Sequence, residues 1–156
     1  MISRKTFLMK LALVGFLSGF SARLIAEEKN QESVENTDAA NSKLQEEIKK
    51  RLGRDLASLK TDKRFLLEAP EIAESGATVP IKISFDGNPD VIEALHVFVD
   101  HNPSVHILGM KYFGIEPFLE VKIRFAKTSP VRSVIVLKNG DAFMAVQDVK
   151  VTVGGC

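Results

Sequence analysis

The chain has 156 residues, of which 45% are apolar and 26% charged, and a formal net charge of +1. That length suits one domain with an appendage and can bury a core that needs no disulfide. A single cysteine excludes an intrachain bridge and a multi-thiolate metal site. The charge balance offers no basic face for nucleic acid, and the composition excludes collagen-like, coiled-coil and wholly disordered chains.

Residues 1–26 contain no acidic side chain. Arg4, Lys5 and Lys10 form a basic start, and Leu11 to Phe20 form a short apolar run. Ser18, Gly19, Ser21 and Ala22 supply small residues ahead of Ala26 and Glu27. This is the layout of a secretory signal peptide. The run is shorter than the about 20 apolar residues that a membrane-spanning helix needs. The segment Ser3-Arg4-Lys5-Thr6-Phe7-Leu8-Met9-Lys10 resembles a twin-arginine export signal in which Lys5 replaces the second arginine. The expectation is export to the periplasm, cleavage after Ala26 and no stable membrane insertion. Loss of Arg4, Lys5, Lys10 and Arg23 would leave 17 basic against 20 acidic residues, a net charge of −3. That weakens the case for nucleic acid further.

Residues 27–40 are polar with almost nothing apolar and read as a disordered leader. A helix is predicted over residues 41–60. Ser42 and Gln45 have capping-box spacing, and Leu44, Ile48, Leu52, Leu56 and Leu59 recur on one face. Gly53 is expected to weaken its middle by about 1 kcal/mol relative to alanine. Lys49, Lys50, Arg51 and Arg54 read as a solvated face. The apolar face has two candidate seats, the protein's own sheets or a partner.

From Phe65 the period shortens to two. Val79, Ile81, Ile83 and Phe85 alternate with Pro80, Lys82 and Ser84, which describes a strand with one buried face. Pro80 lacks an N–H, which predicts an edge position or a late start to the strand, and this edge is a candidate partner surface. Val91–Asp100 follows, with Leu95, Val97 and Val99 on one face and His96 on the other. Further strands are predicted at Val105–Phe113, Phe118–Phe125, Val131–Leu137 and Ala142–Val153, and Asn139-Gly140 reads as a type I′ turn between the last two. About seven short strands in about 90 residues indicate an all-β fold, an immunoglobulin-like antiparallel β-sandwich over residues 65–153. The sequence shows neither internal repeats nor a second globular domain.

The last strand runs into Gly154-Gly155-Cys156. Two glycines leave the backbone free, and three residues reach at most about 10 Å beyond the strand. The result is a thiol on a tether that can enter a narrow cleft in another protein. A carboxylate beside Cys156 would disfavour the thiolate unless a partner supplies positive charge. The cysteine is not at the position of a lipoprotein or prenylation signal. His96, His101 and His106 recur at five-residue spacing, which gives no support for a metal site. Neither a phosphate loop nor a nucleophile elbow is present. We therefore expect no cofactor, no metal and no catalytic residue.

Three segments carry a family resemblance. They are Leu67-Glu68-Ala69-Pro70-Glu71-Ile72-Ala73-Glu74-Ser75-Gly76-Ala77-Thr78-Val79-Pro80, His96-Val97-Phe98-Val99-Asp100-His101-Asn102-Pro103, and Val149-Lys150-Val151-Thr152-Val153-Gly154-Gly155-Cys156. Together they resemble the SoxY family, sulfur carriers of the bacterial thiosulfate-oxidising (Sox) system. Family tails read Gly-Gly-Cys-Gly-Gly, whereas this sequence stops at the cysteine. The resemblance implies an immunoglobulin-like sandwich paired with a second β-sandwich subunit, SoxZ. It implies that Cys156 is the covalent attachment point for sulfur compounds and that Gly154 and Gly155 form a flexible swinging arm. It further implies docking to the SoxXA cytochrome, to SoxB, which hydrolyses off sulfate, and to SoxCD, which oxidises the sulfane sulfur. The protein would then be a non-catalytic carrier. The competing reading is an exported interaction module in which Cys156 forms an interchain disulfide, giving a linked homodimer. A thiol enzyme is the weakest reading, since no resolving cysteine exists.

Overall fold

The period-two alternation after Phe65 forms eight strands in the computed structural model, which describes residues 39–112 and 118–155. The export signal, most of the leader, Phe113 and Cys156 lie outside the described residues. The strands are β1 (Phe65–Glu68), β2 (Ile72–Ser75), β3 (Val79–Phe85), β4 (Ile92–Val99), β5 (His106–Lys111), β6 (Phe118–Ile123), β7 (Ser129–Leu137) and β8 (Ala142–Val153). They form a three-stranded sheet ordered β1-β3-β6 and a five-stranded sheet ordered β2-β8-β7-β4-β5. The fold is the immunoglobulin-like sandwich expected from the strand spacing. One pairing departs from the antiparallel rule, since β2 runs parallel to β8, with Ala73 opposite Val151 and Ser75 opposite Val153.

The core lies between the sheets. Val79, Ile81, Ile83 and Phe85 of β3 face Leu95, Val97 and Val99 of β4 and Val131 and Ile135 of β7. Each such side chain contributes about 1.5–3 kcal/mol on burial. Ser133 sits among them, fully buried, and its hydroxyl has no hydrogen-bond partner among the described residues. β3 is not the edge that Pro80 suggested, because β1 and β6 flank it. Proline is tolerated there because β1 ends at the Glu68–Lys82 pair, so Pro80 is paired on the β6 side alone. The candidate partner surface at a free Val79–Phe85 edge is thereby removed.

The helix, α1, covers residues 39–52. It packs on the outer face of the large sheet of this same chain. Leu44 and Ile48 are fully buried against Phe98, Val134 and Ala142, with Leu52, Leu56 and Leu59 partly buried beside them. This second layer explains why Val97, Phe98 and Val99 are all buried, since β4 is covered on both faces. Two local expectations are corrected. Gly53 ends the helix and does not weaken its middle, since it adopts φ +66° and its N–H donates to the Lys49 carbonyl. Ser42 and Gln45 do not form a capping box, because the helix is already under way at Ala39. The Ser42 hydroxyl donates to the Ala39 carbonyl, while Gln45 reaches forward to Asp55 and the Leu56 N–H, holding the 3-10 turn Leu56–Ser58.

The β7–β8 hairpin is also not a type I′ turn. Gly140 alone has positive φ, +89°, and Asn139 does not. The Asn139 side chain accepts from the Asp141 N–H and the Gly140 N–H donates to the Leu137 carbonyl, which makes a three-residue loop with Gly140 at the left-handed position.

Candidate functional site: the seat of the tail

The strand β8 carries the chain toward its tail, and three distant segments meet where it ends. The Gly76 N–H donates to the Val153 carbonyl at 2.7 Å, the Phe125 N–H to the Gly76 carbonyl at 2.8 Å, and the Gly155 N–H to the Phe125 carbonyl at 2.9 Å. Gly155 is buried and Gly154 exposed. The backbones approach too closely for side chains. A Cβ on Gly155 would lie 2.7 Å from the Gly76 carbonyl carbon and 2.9 Å from the Ala77 nitrogen. A Cβ on Gly154 would collide with the Ala126 carbonyl oxygen, and one on Gly76 with the Phe125 carbonyl oxygen. The two glycines before Cys156 therefore do more than loosen the backbone, because they fit a seat only glycine can enter.

The seat has its own support. Asn102, buried after β4, donates from Nδ2 to the Arg124 carbonyl at 2.7 Å and accepts on Oδ1 from the Ala126 N–H at 2.8 Å. It thus clips the peptides on either side of Phe125. Thr128 ties the neighbouring loop to β8, its Oγ1 accepting from the Val151 N–H at 3.0 Å. His101 sits beside it, its Nδ1 2.8 Å from the Thr128 carbonyl oxygen. Sequence reasoning missed Gly76 and Asn102 as neighbours of the tail. Both lie in segments that carried the resemblance, yet no spacing links them to residue 154.

The three histidines divide. His96 and His106 come together, with Nδ1 of His96 3.2 Å from Nε2 of His106, beside Phe98. Their strands pair antiparallel and both rings stand on the outer face, toward α1. Among the described residues no group of three or more metal-ligating side chains forms, and no helix is long and apolar enough to cross a membrane. Burial lowers the pKa of His96, helped by His106 and Arg51. Burial also lowers that of His106, helped by Arg51 and opposed by Glu47 and by a hydrogen bond that the ring donates to the Leu108 backbone.

Both groups then bind protons more weakly folded than unfolded, so as pH falls through the ordinary imidazole value near 6.5 the unfolded chain takes up protons first. Stability from the neutral pair is therefore fully present above that value and is lost as pH falls toward the lower folded-state values. The melting temperature should therefore drop more between pH 7.5 and 5.5 in the wild type than in His106→Gln. Equal drops would show that this pair does not titrate differently on folding.

Residues 48–156 match the family model described as "Sulfur oxidation protein SoxY". The chain belongs to the SoxY family. Among solved structures it is similar to the sulfur carrier protein SoxY from Chlorobium limicola f thiosulfatophilum, at 27% identity and a TM-score of 0.61, covering 72% of this chain and 98% of that one. It is also similar to a superoxide reductase (neelaredoxin) variant from Ignicoccus hospitalis, at 16% identity and a TM-score of 0.50, over 61% of this chain and 82% of that one. That second likeness concerns the fold alone. None of the curated proteins matches in sequence. All three segments that meet at the tail seat fall inside the SoxY match, and so does Cys156.

Proposed function

We propose that this protein is a periplasmic carrier of sulfur compounds in thiosulfate oxidation, with Cys156 as the covalent attachment point and no catalytic site of its own. The observation that carries the reading is the SoxY match over residues 48–156, which includes the glycine pair, the cysteine and both partner segments of the seat. The similar Chlorobium protein is a sulfur carrier.

The chemistry balances with the partners that the family resemblance implies. The Cys156 thiol and a thiosulfate dianion join in a sulfur–sulfur bond, releasing one proton and two electrons to a c-type cytochrome of SoxXA type. Water then attacks the terminal sulfonate. Its oxygen leaves in hydrogen sulfate, and the remaining Cys156 persulfide carries the sulfane sulfur onward to a SoxCD-type enzyme. The thiolate is the reacting form in the first step. Tethering keeps the intermediates from diffusing away and raises their effective concentration at a docked enzyme. A SoxZ-type sandwich is the proposed stable partner, and export through the N-terminal signal would place the pair in the periplasm.

The test is an intact mass of the protein recovered from the periplasm of cells growing on thiosulfate, with and without reductant. A reductant-labile, sulfur-containing adduct on Cys156 is expected. An unmodified monomer, or only a disulfide-linked homodimer, would overturn the carrier reading in favour of an interaction module.

A further inference from the structure

Of the three residues after Val153, two are described, and both are held. Gly154 lies against Ala126, and Gly155 is buried with its N–H bonded to Phe125. The dock is made by Gly76 at the end of β2. Its carbonyl holds the Phe125 N–H, its own N–H holds Val153, and its missing side chain leaves the space that Gly155 fills. Any side chain at residue 76 would meet the Phe125 carbonyl oxygen, the Gly155 nitrogen at 2.8 Å and Cγ1 of Val151 at 3.0 Å. Asn102 fixes the Phe125 strand end from behind through its two hydrogen bonds.

We infer that Gly76 is a positioning residue for the carrier thiol, giving the Gly154–Gly155 arm a docked state from which it must detach before it can reach a partner enzyme. The functional consequence rests on the carrier reading above; the docked state does not. Docked, the tail is held as far as Gly155. Detached, the arm regains about 10 Å from Val153. Detachment breaks one hydrogen bond to the tail, Gly155 to Phe125, and uncovers one glycine. The net strength of such a bond makes the docked state favoured by about tenfold, enough to populate it and little enough for a docked enzyme to reverse. The parallel β2–β8 pairing acquires a purpose in this arrangement, because it places Gly76 level with the root of the tail.

Amide hydrogen exchange on the full chain with Cys156 reduced tests this directly. In the wild type the Gly155 amide should exchange about tenfold more slowly than in a peptide of the same tail sequence. In Gly76→Ala that protection should vanish, while the amides of Val97 and Val134 in the sheets keep their wild-type rates. A role confined to stability would instead lower protection across the sheets. Should Gly76→Ala fail to fold, Gly155→Ala decides, since its methyl alone would collide with the Gly76 carbonyl and it lies beyond the last strand. An unprotected Gly155 in the wild type, or unchanged protection of the tail amide in the folded variants, would overturn the dock. Neither result depends on an adduct at Cys156, whose presence or absence is read separately by mass.

Discussion

Serine in place of Cys156 should abolish thiosulfate-dependent turnover when the reconstituted Sox enzymes are supplied with this chain and its partner subunit, while leaving the melting temperature unchanged. The change replaces one atom. A serine hydroxyl neither ionises near neutral pH nor forms a sulfur–sulfur bond, and Cys156 is the only cysteine in the sequence. No second thiol can take over, so the loss should reach the background rate and not a fraction of the wild-type rate. That pattern distinguishes a carrier from an accessory. If the thiol only linked two copies, Cys156→Ser would yield a monomer whose addition still supported turnover. Turnover retained in the serine variant would sink the carrier reading outright.

The second large effect is on stability, at the Asp100–Arg132 pair. Arg132 Nε lies 3.0 and 2.9 Å from the two Asp100 oxygens, and Nη2 lies 2.8 Å from Oδ2. Exposed pairs of this kind contribute about 0–1 kcal/mol. Here Asp100 is 5% exposed and Arg132 18%, so a buried carboxylate meets a half-buried guanidinium and the pair lies nearer the buried than the exposed case. Removing one partner of a buried pair costs about 3–5 kcal/mol, because the other charge is left without compensation. Asp100→Ala should therefore lower the melting temperature by about 10–20 °C in a domain of this size. The double replacement Asp100→Leu with Arg132→Met should recover most of that loss, since well-packed apolar residues often substitute for a buried pair at little cost. Urea denaturation of the wild type and these two variants checks the argument. A single-variant loss under about 1 kcal/mol would mean that water reaches the pair. The consequence extends to the tail seat, because Asp100 donates its N–H to Pro130 and lies two residues before Asn102.

The alternating strands and the amphipathic helix were legible in the sequence because each is written in neighbouring residues. Val79 to Phe85 reads as a one-faced strand from its own period, and β8 was delimited at both ends. β2 was harder to see. It is four residues long, carries Glu74, and exists by pairing with β8 across the length of the domain. Pro80 misled because its missing N–H predicts a free side, not a free edge, and only the length of β1 separates the two. Asn139-Gly140 was read as a turn correctly and as a turn type incorrectly, since only Gly140 adopts positive φ.

By itself, then, the sequence determined the periods and the family, whereas the helix stop at Gly53 came from the structure. Tertiary structure decided which surfaces those elements share. It set α1 on the chain's own large sheet and joined His96 to His106. It also turned two apparently free glycines into the closing contact of a seat built by Gly76 and Asn102. The reason is that local sequence specifies dihedrals and faces over a few residues, whereas register between strands far apart in the chain is chosen by the whole core at once.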